Sequence, residues 1–160
     1  MPHLPIEMLS HGTIPISDIE HTTKFLKEMF GMEVARTSEN SASFRLNGFF
    51  CFSCIEALKH KPRRIKPSNI WFHYGFDLPS VEAVDEAYKT VKALAATYNI
   101  RKITKPGYGH GTYFFYIVDQ DSIYWEVLLN PKDGYRYRFD DIEDDIRPFR
   151  EQEKKIKWIA

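Results

Sequence analysis

Polar and apolar positions alternate along "IEMLSHGTIPI", residues 6–16. Alternation of this kind predicts a strand with Ile6, Met8, Ile14 and Ile16 on one face and Leu9, His11 and Thr13 on the other. The period then lengthens. "SDIE" reads as a capping box, Ser17 with Glu20, that opens a helix. Ile19, Leu26 and Phe30 form the apolar stripe of that helix, and Gly31 is its stop. Three short strand-like pieces follow at 32–37, 42–47 and 49–55.

The same order then recurs. "NIWFHYGFDL" predicts a strand with Phe72, Phe76 and Leu78 on one face and Trp71, His73 and Gly75 on the other. Ser80 caps a second helix whose stripe is Val84, Ala87, Val91 and Leu94, and this helix ends near Asn99. Three strands are again expected, at 100–105, 112–118 and 123–129, with "DQDS" as the turn before the last. An internal repeat at this spacing governs the whole reading. It gives βαβββ twice: module one at 6–56, a basic linker at 57–69, module two at 70–129, and a charged tail at 130–160. The fold class expected is α+β in a single domain. Two βαβββ modules form paired mixed sheets around a partly closed, barrel-like cleft, with the helices outside.

Composition narrows the partners. With 43% apolar residues in a chain of 160, a folded core is expected. Acids and bases balance at 22 each, which argues against a generic nucleic-acid binder and a polybasic membrane surface. The N-terminal "MPHLPIEML" lacks a signal-peptide pattern, and no apolar run approaches the ~20 residues needed to span a bilayer. A cytoplasmic protein is therefore expected. Cys51 and Cys54 form a C-x-x-C, but residues three apart on a strand point to opposite faces, and no second pair exists to complete a zinc site. Two reduced, buried cysteines are expected.

The chemistry enters with "SIYWEVLL", where Glu126 interrupts a strand-like apolar run. A buried carboxylate needs a cation, a donor or water. His11 and His73 hold equivalent places in the first strands of the two modules, each opposite the large aliphatics. Two histidines and one carboxylate with open positions form the facial triad of non-haem Fe(II) oxygenases. His11, His73 and Glu126 are the metal ligands this pattern predicts.

The paired plan, with these three residues so placed, resembles the vicinal oxygen chelate superfamily of glyoxalases, bleomycin and fosfomycin resistance proteins and extradiol dioxygenases. "SHGTIPISDIEHTTKFLKEMFGMEV" is similar to the opening of many members. The stretch "HGTYFFYIVDQDSIYWE" resembles the extradiol signature, with His110 as the early histidine, Phe115 and Tyr116 as the apolar–tyrosine pair, Asp119 as the turn acid and Glu126 as the ligand. It departs from that signature in three places. The interval from His110 to Phe115 is one residue short, Gln120 stands where proline is usual, and Ser122 where glycine is usual.

The resemblance implies a small single-domain dioxygenase that uses Fe(II), alternatively Mn, Zn or Ni, to cleave a catecholic ring with O₂. His60, His110 and Tyr116 are its candidate catalytic residues, His60 as acid–base group or else part of a solvated loop. Trp71, Tyr113 and Tyr124 are candidates for ring contacts, with core packing as the alternative. Lys61, Arg63 and Arg64 either meet a substrate carboxylate or form a solvated linker. A homodimer is expected. Two other functions stay open. One is a glyoxalase-type lyase or isomerase, whose fourth ligand would fall near Phe52, with Glu56 on the same strand face. The other is a non-enzymatic drug binder.

Overall fold

The computed structural model describes residues 8–48, 50–59, 61, 63–109 and 111–130. The chain divides into two compact units, residues 1–64 and 65–160, and the boundary falls inside the expected linker.

In the first unit the order is β1 (His11–Pro15), α1 (Ile19–Phe30), β2 (Glu33–Ser38), β3 (Ser41–Arg45) and β4 (Cys51–Ile55). They form a four-stranded sheet in the order β1-β4-β3-β2, with β1 and β4 parallel and the other pairs antiparallel. Ile14, Phe44, Phe52 and Cys54 are buried together with Ile19, Phe25 and Leu26 of α1. Each fully buried aromatic here stabilises the unit by roughly 1.5–3 kcal/mol relative to exposure. His11 and Thr13 are exposed on the opposite face, as the alternation of β1 requires. Met8 and Leu9 precede the strand and are exposed, so the pairing is shorter than the apolar pattern suggested. Cys51 and Cys54 are both free thiols, the first half-buried and the second buried.

The helix start differs from the capping box. Asp18 is the N-cap, and its Oδ1 accepts from the His21 backbone N–H at 2.8 Å. Asp and Ser are equally good caps, and alternation carries the chain one residue further before it turns. Gly31 closes the helix in the left-handed conformation (φ 67°), where a side chain would be strained, and its N–H returns to Leu26 and Lys27.

In the second unit a 3₁₀ turn (Pro67–Trp71) precedes β5 (His73–Asp77), α2 (Val81–Leu94), β6 (Lys102–Ile103), β7 (Gly107–Gly109), β8 (Thr112–Val118) and β9 (Tyr124–Leu129). The five-stranded sheet runs β5-β9-β8-β6, with β7 also on β8. Ser80 caps α2 through the Ala83 N–H, as expected. Val84 and Val91 of α2 are buried, as are Phe115, Ile117, Trp125 and Val127. The first predicted strand starts late, because Pro67 fits the first turn of a 3₁₀ helix and draws residues 67–71 into it. Trp71 and Phe72 are consequently exposed, at 79% and 84%. Strand β7 is a short hairpin partner between two glycines that carries no apolar alternation to announce it.

Neither sheet closes into a barrel. The architecture is α+β, with two helices and two mixed sheets. Among the described residues no helix is long and apolar enough to cross a membrane.

Candidate metal centre

Glu126 lies on β9, an inner strand of the second unit's sheet, and both neighbouring strands bear on it. Parallel pairing with β5 sets Gly75 opposite Glu126 and His73 opposite Tyr124. Antiparallel pairing with β8 sets Tyr116 opposite Glu126. Directly paired residues project to one face of a sheet, so Tyr116, Glu126 and Gly75 form a row across three strands, and His73 shares that face. Glu126 is only 4% exposed. Its Oε2 lies 3.1 Å from His73 Nε2. The imidazole meets the Tyr116 ring edge-on at 5.4 Å.

The other imidazole nitrogen fixes the chemistry. His73 Nδ1 is 2.5 Å from the Ile70 carbonyl oxygen. A carbonyl only accepts, so Nδ1 carries the hydrogen. In the neutral ring Nε2 then holds a lone pair, and it faces a carboxylate oxygen that is also an acceptor. Two acceptors at this distance need a proton between them or a metal ion. Ligand atoms each about 2.1 Å from a divalent ion lie roughly 3.0–3.4 Å apart when adjacent, so the observed spacing fits a shared ion. One neutral nitrogen and one carboxylate oxygen also suit a divalent transition metal. Within either unit, no three His, Cys, Asp or Glu side chains gather as a cluster among the described residues. His11 belongs to the first unit, where it is exposed on β1 with Nδ1 2.9 Å from Ser10 Oγ.

The remaining candidates fall in different places. His60 and His110 lie outside the described residues. Tyr116 is buried on the face of Glu126 and His73. Tyr124 shares that face, but it is buried with Tyr116 and Val118 in a cluster on which Ile65, Ile70 and Phe114 pack. Tyr113 alternates to the α2 side, where its hydroxyl donates to Asp85 Oδ1 at 2.8 Å. Burial and that bond push its pKa up to about 12. This places Tyr113 off the face of Glu126. Trp71 lies in the 3₁₀ turn and points to solvent. Lys61, Arg63 and Arg64 are exposed. Asp119 is the turn acid in a structural sense. Its Oδ1 accepts from the N–H groups of Asp121 and Ile123, and its Oδ2 from Trp125 Nε1.

The suggested fourth ligand is corrected. Phe52 is buried on the α1 side of the first sheet. Glu56 lies beyond β4, and its Oε1 accepts the Ile19 N–H at 3.2 Å while Oε2 meets Lys59. It supports the start of α1. The repeat locates the counterpart of Glu126 elsewhere. Glu126 pairs with Gly75, two residues after His73, and Ser53 pairs with Thr13, two residues after His11. Ser53, Gly75 and Ile70 are absent from the sequence-based site. Ser53 and Gly75 were accessible only through strand register, and Ile70 only through the 3₁₀ turn.

The sequence pattern described as the Glyoxalase/Bleomycin resistance protein/Dioxygenase superfamily matches residues 8–127. No curated protein matches the chain significantly. Among solved structures, a genomically encoded fosfomycin resistance protein of Listeria monocytogenes superposes with a TM-score of 0.60 at 24% identity, over 80% of this chain and 97% of that one. A possible glyoxalase of Bacillus cereus gives 0.59 at 22% identity, over 77% and 99%. Lactoylglutathione lyase of Agrobacterium tumefaciens gives 0.57 at 18% identity, over 82% and 99%. At these identities the likeness is one of fold.

Proposed function

The chain belongs to the Glyoxalase/Bleomycin resistance protein/Dioxygenase superfamily, and from that premise we propose that it is a metal-dependent enzyme, specifically an Fe(II) extradiol dioxygenase acting on a catecholic substrate. The observation that carries the reading is the His73–Glu126 pair, two acceptors held 3.1 Å apart with Nδ1 already committed to a carbonyl. His73 and Glu126 would hold the ion, with His11 as the third ligand. Bound there, a divalent ion supplies positive charge and open positions for adjacent substrate oxygens and O₂.

The chain's own groups do the rest. Burial of Glu126 keeps water from competing for its carboxylate. Tyr116, beside His73, orients a substrate oxygen through its hydroxyl. His60 exchanges a proton with the substrate hydroxyl, and His110 assists with a hydrogen bond. Tyr124 acts chiefly as packing beneath the site. A four-ligand lyase or isomerase has less support, because Glu56 is committed to Ile19 and Lys59 and the counterpart of Glu126 is a serine. The working assembly in this reading is a homodimer.

The test is metal content after anaerobic purification, compared with His73→Ala, followed by aerobic turnover of catechol. The reading expects bound iron that the substitution removes, and a yellow ring-cleaved product only with Fe(II). Turnover of a hemithioacetal without attack on catechol would move the protein to the lyase class. Tight binding of an aromatic drug by metal-free protein would make it a sequestering protein.

A further inference from the structure

The 3₁₀ turn ahead of β5 links the His73 imidazole to the buried aromatic cluster of its own sheet. Its last turn presents the Ile70 carbonyl to His73 Nδ1 at 2.5 Å. The Ile70 side chain packs against the buried cluster of Tyr116, Val118 and Tyr124. Trp71 and Phe72 point to solvent, so they do not anchor the turn. The turn is closed by backbone bonds from Asn69 N–H to Lys66 and from Phe72 N–H to Asn69, and Pro67 pre-sets its first residue. One residue thus grips the floor of the sheet with its side chain and aims the imidazole with its backbone.

We propose that Ile70 is a positioning residue for His73: seated on the Tyr116–Tyr124 floor, it holds its carbonyl where the hydrogen is kept on Nδ1 and Nε2 is turned toward Glu126. For its effect on metal affinity the proposal rests on the metal-site reading above. For its effect on the imidazole it rests on geometry alone. A ligand histidine freed from its outer partner wastes orientation and tautomer, and such losses weaken metal binding by about 10–100-fold.

The experiment measures His73 ¹⁵N imidazole resonances in metal-free protein and Co(II) affinity for four chains: unsubstituted, Ile70→Ala, Ile70→Val and Pro67→Gly. Ile70→Ala is expected to lose the hydrogen-bonded Nδ1–H signature and to weaken Co(II) binding about 10-fold or more. Ile70→Val keeps a branched anchor and should restore both readouts. Pro67→Gly loosens the turn from an exposed position, leaves the cluster intact, and should shift both readouts in the same direction by less. It also decides the matter if Ile70→Ala does not fold. An unchanged imidazole signature in both Ile70→Ala and Pro67→Gly overturns the proposal. If the unsubstituted chain binds no Co(II), the metal reading fails, and the imidazole signature still decides the role of Ile70.

Discussion

Gly75 stands directly across from Glu126 in the parallel register of β5 and β9. A Cβ built on it would sit 3.8 Å from Glu126 Oε2 and 3.2 Å from Leu128 Cδ2. The first distance is ordinary contact, and the second asks a flexible side-chain end to yield slightly. Glu126 therefore has a tyrosine on one side of its row and bare backbone on the other. Gly75→Ala should fold and hold metal within about 3-fold of the unsubstituted chain. Gly75→Val fills the space beside the carboxylate, and should raise KM for a ring substrate by about 10-fold while costing roughly 1–3 kcal/mol of stability through overpacking. Equal KM values for all three chains would mean that this open side is not used by substrate.

Ser122 adopts φ 64° in the turn before β9, a left-handed conformation that glycine reaches without strain. Arg101 Nη1 donates to Ser122 Oγ, which offsets the strain. Ser122→Ala keeps the strain and loses the bond, and should cost about 1 kcal/mol. Ser122→Gly loses the bond but relieves about 1–2 kcal/mol of strain, and should leave stability nearly unchanged. Urea midpoints of the three chains check this order.

Asp119 titrates in an unusual range. Burial pushes its pKa up to about 7 from 3.8, against the opposing hydrogen bonds from Trp125 and the backbone. The folded chain thus keeps a proton that the unfolded chain has released between about pH 4 and pH 7. The unfolded state then binds fewer protons, so this group's stabilisation is complete below about pH 4 and is lost as pH rises through about 7. Asp119→Asn cannot titrate and loses one acceptor, so it should be less stable at low pH by about 1–3 kcal/mol. The gap between the two chains should narrow from pH 4.5 to 7.5. A gap that stays constant or widens means Asp119 is ionised throughout.

Glu56 supports a helix start. Its Oε1 takes the Ile19 N–H, one of the orphan donors at the start of α1, while Asp18 takes that of His21. Glu56→Gln keeps an acceptor but loses the charge near the helix N-terminus and the Lys59 contact. It should lower stability by about 0.5–1 kcal/mol and leave metal affinity unchanged. A 10-fold loss of affinity would return Glu56 to the ligand set.

Much of the scaffold was legible in the sequence because its signals are local. Alternation placed His11 opposite Ile14, Gly31 ended α1, and Ser80 began α2. The run 112–118 appeared as β8 without adjustment. What was hidden depended on partners distant in sequence. Tyr113 looked as available as Tyr116, and only its place between α2 and the sheet sends it to Asp85. Trp71 looked like a strand residue until Pro67 captured it into a 3₁₀ turn. Glu56 stood open as a fourth ligand of the lyase alternative because a strand pattern cannot reveal a helix N-terminus packed beside it. Glu126 was legible for a different reason: a carboxylate in an apolar strand is a local anomaly, and its burial beside His73 accounts for it.

Ser53 offers the last test, because strand register makes it the counterpart of Glu126. Ser53 pairs with Thr13 as Glu126 pairs with Gly75, and it is half-buried on the face of His11 and Thr13. If His11 is the third ligand, as proposed above, a carboxylate there would add a fourth. Ser53→Glu should therefore raise divalent metal affinity by about 10-fold, since charge and ligand number both increase. It should also lower catechol turnover, because one position open to substrate or O₂ becomes filled. Ser53→Gln has the same length without the charge, and should raise affinity far less. Calorimetric titration with Mn(II), set beside turnover of catechol, reads both effects. Unchanged affinity in Ser53→Glu would mean that the repeat does not extend to the metal, and that His11 and its neighbours serve another purpose.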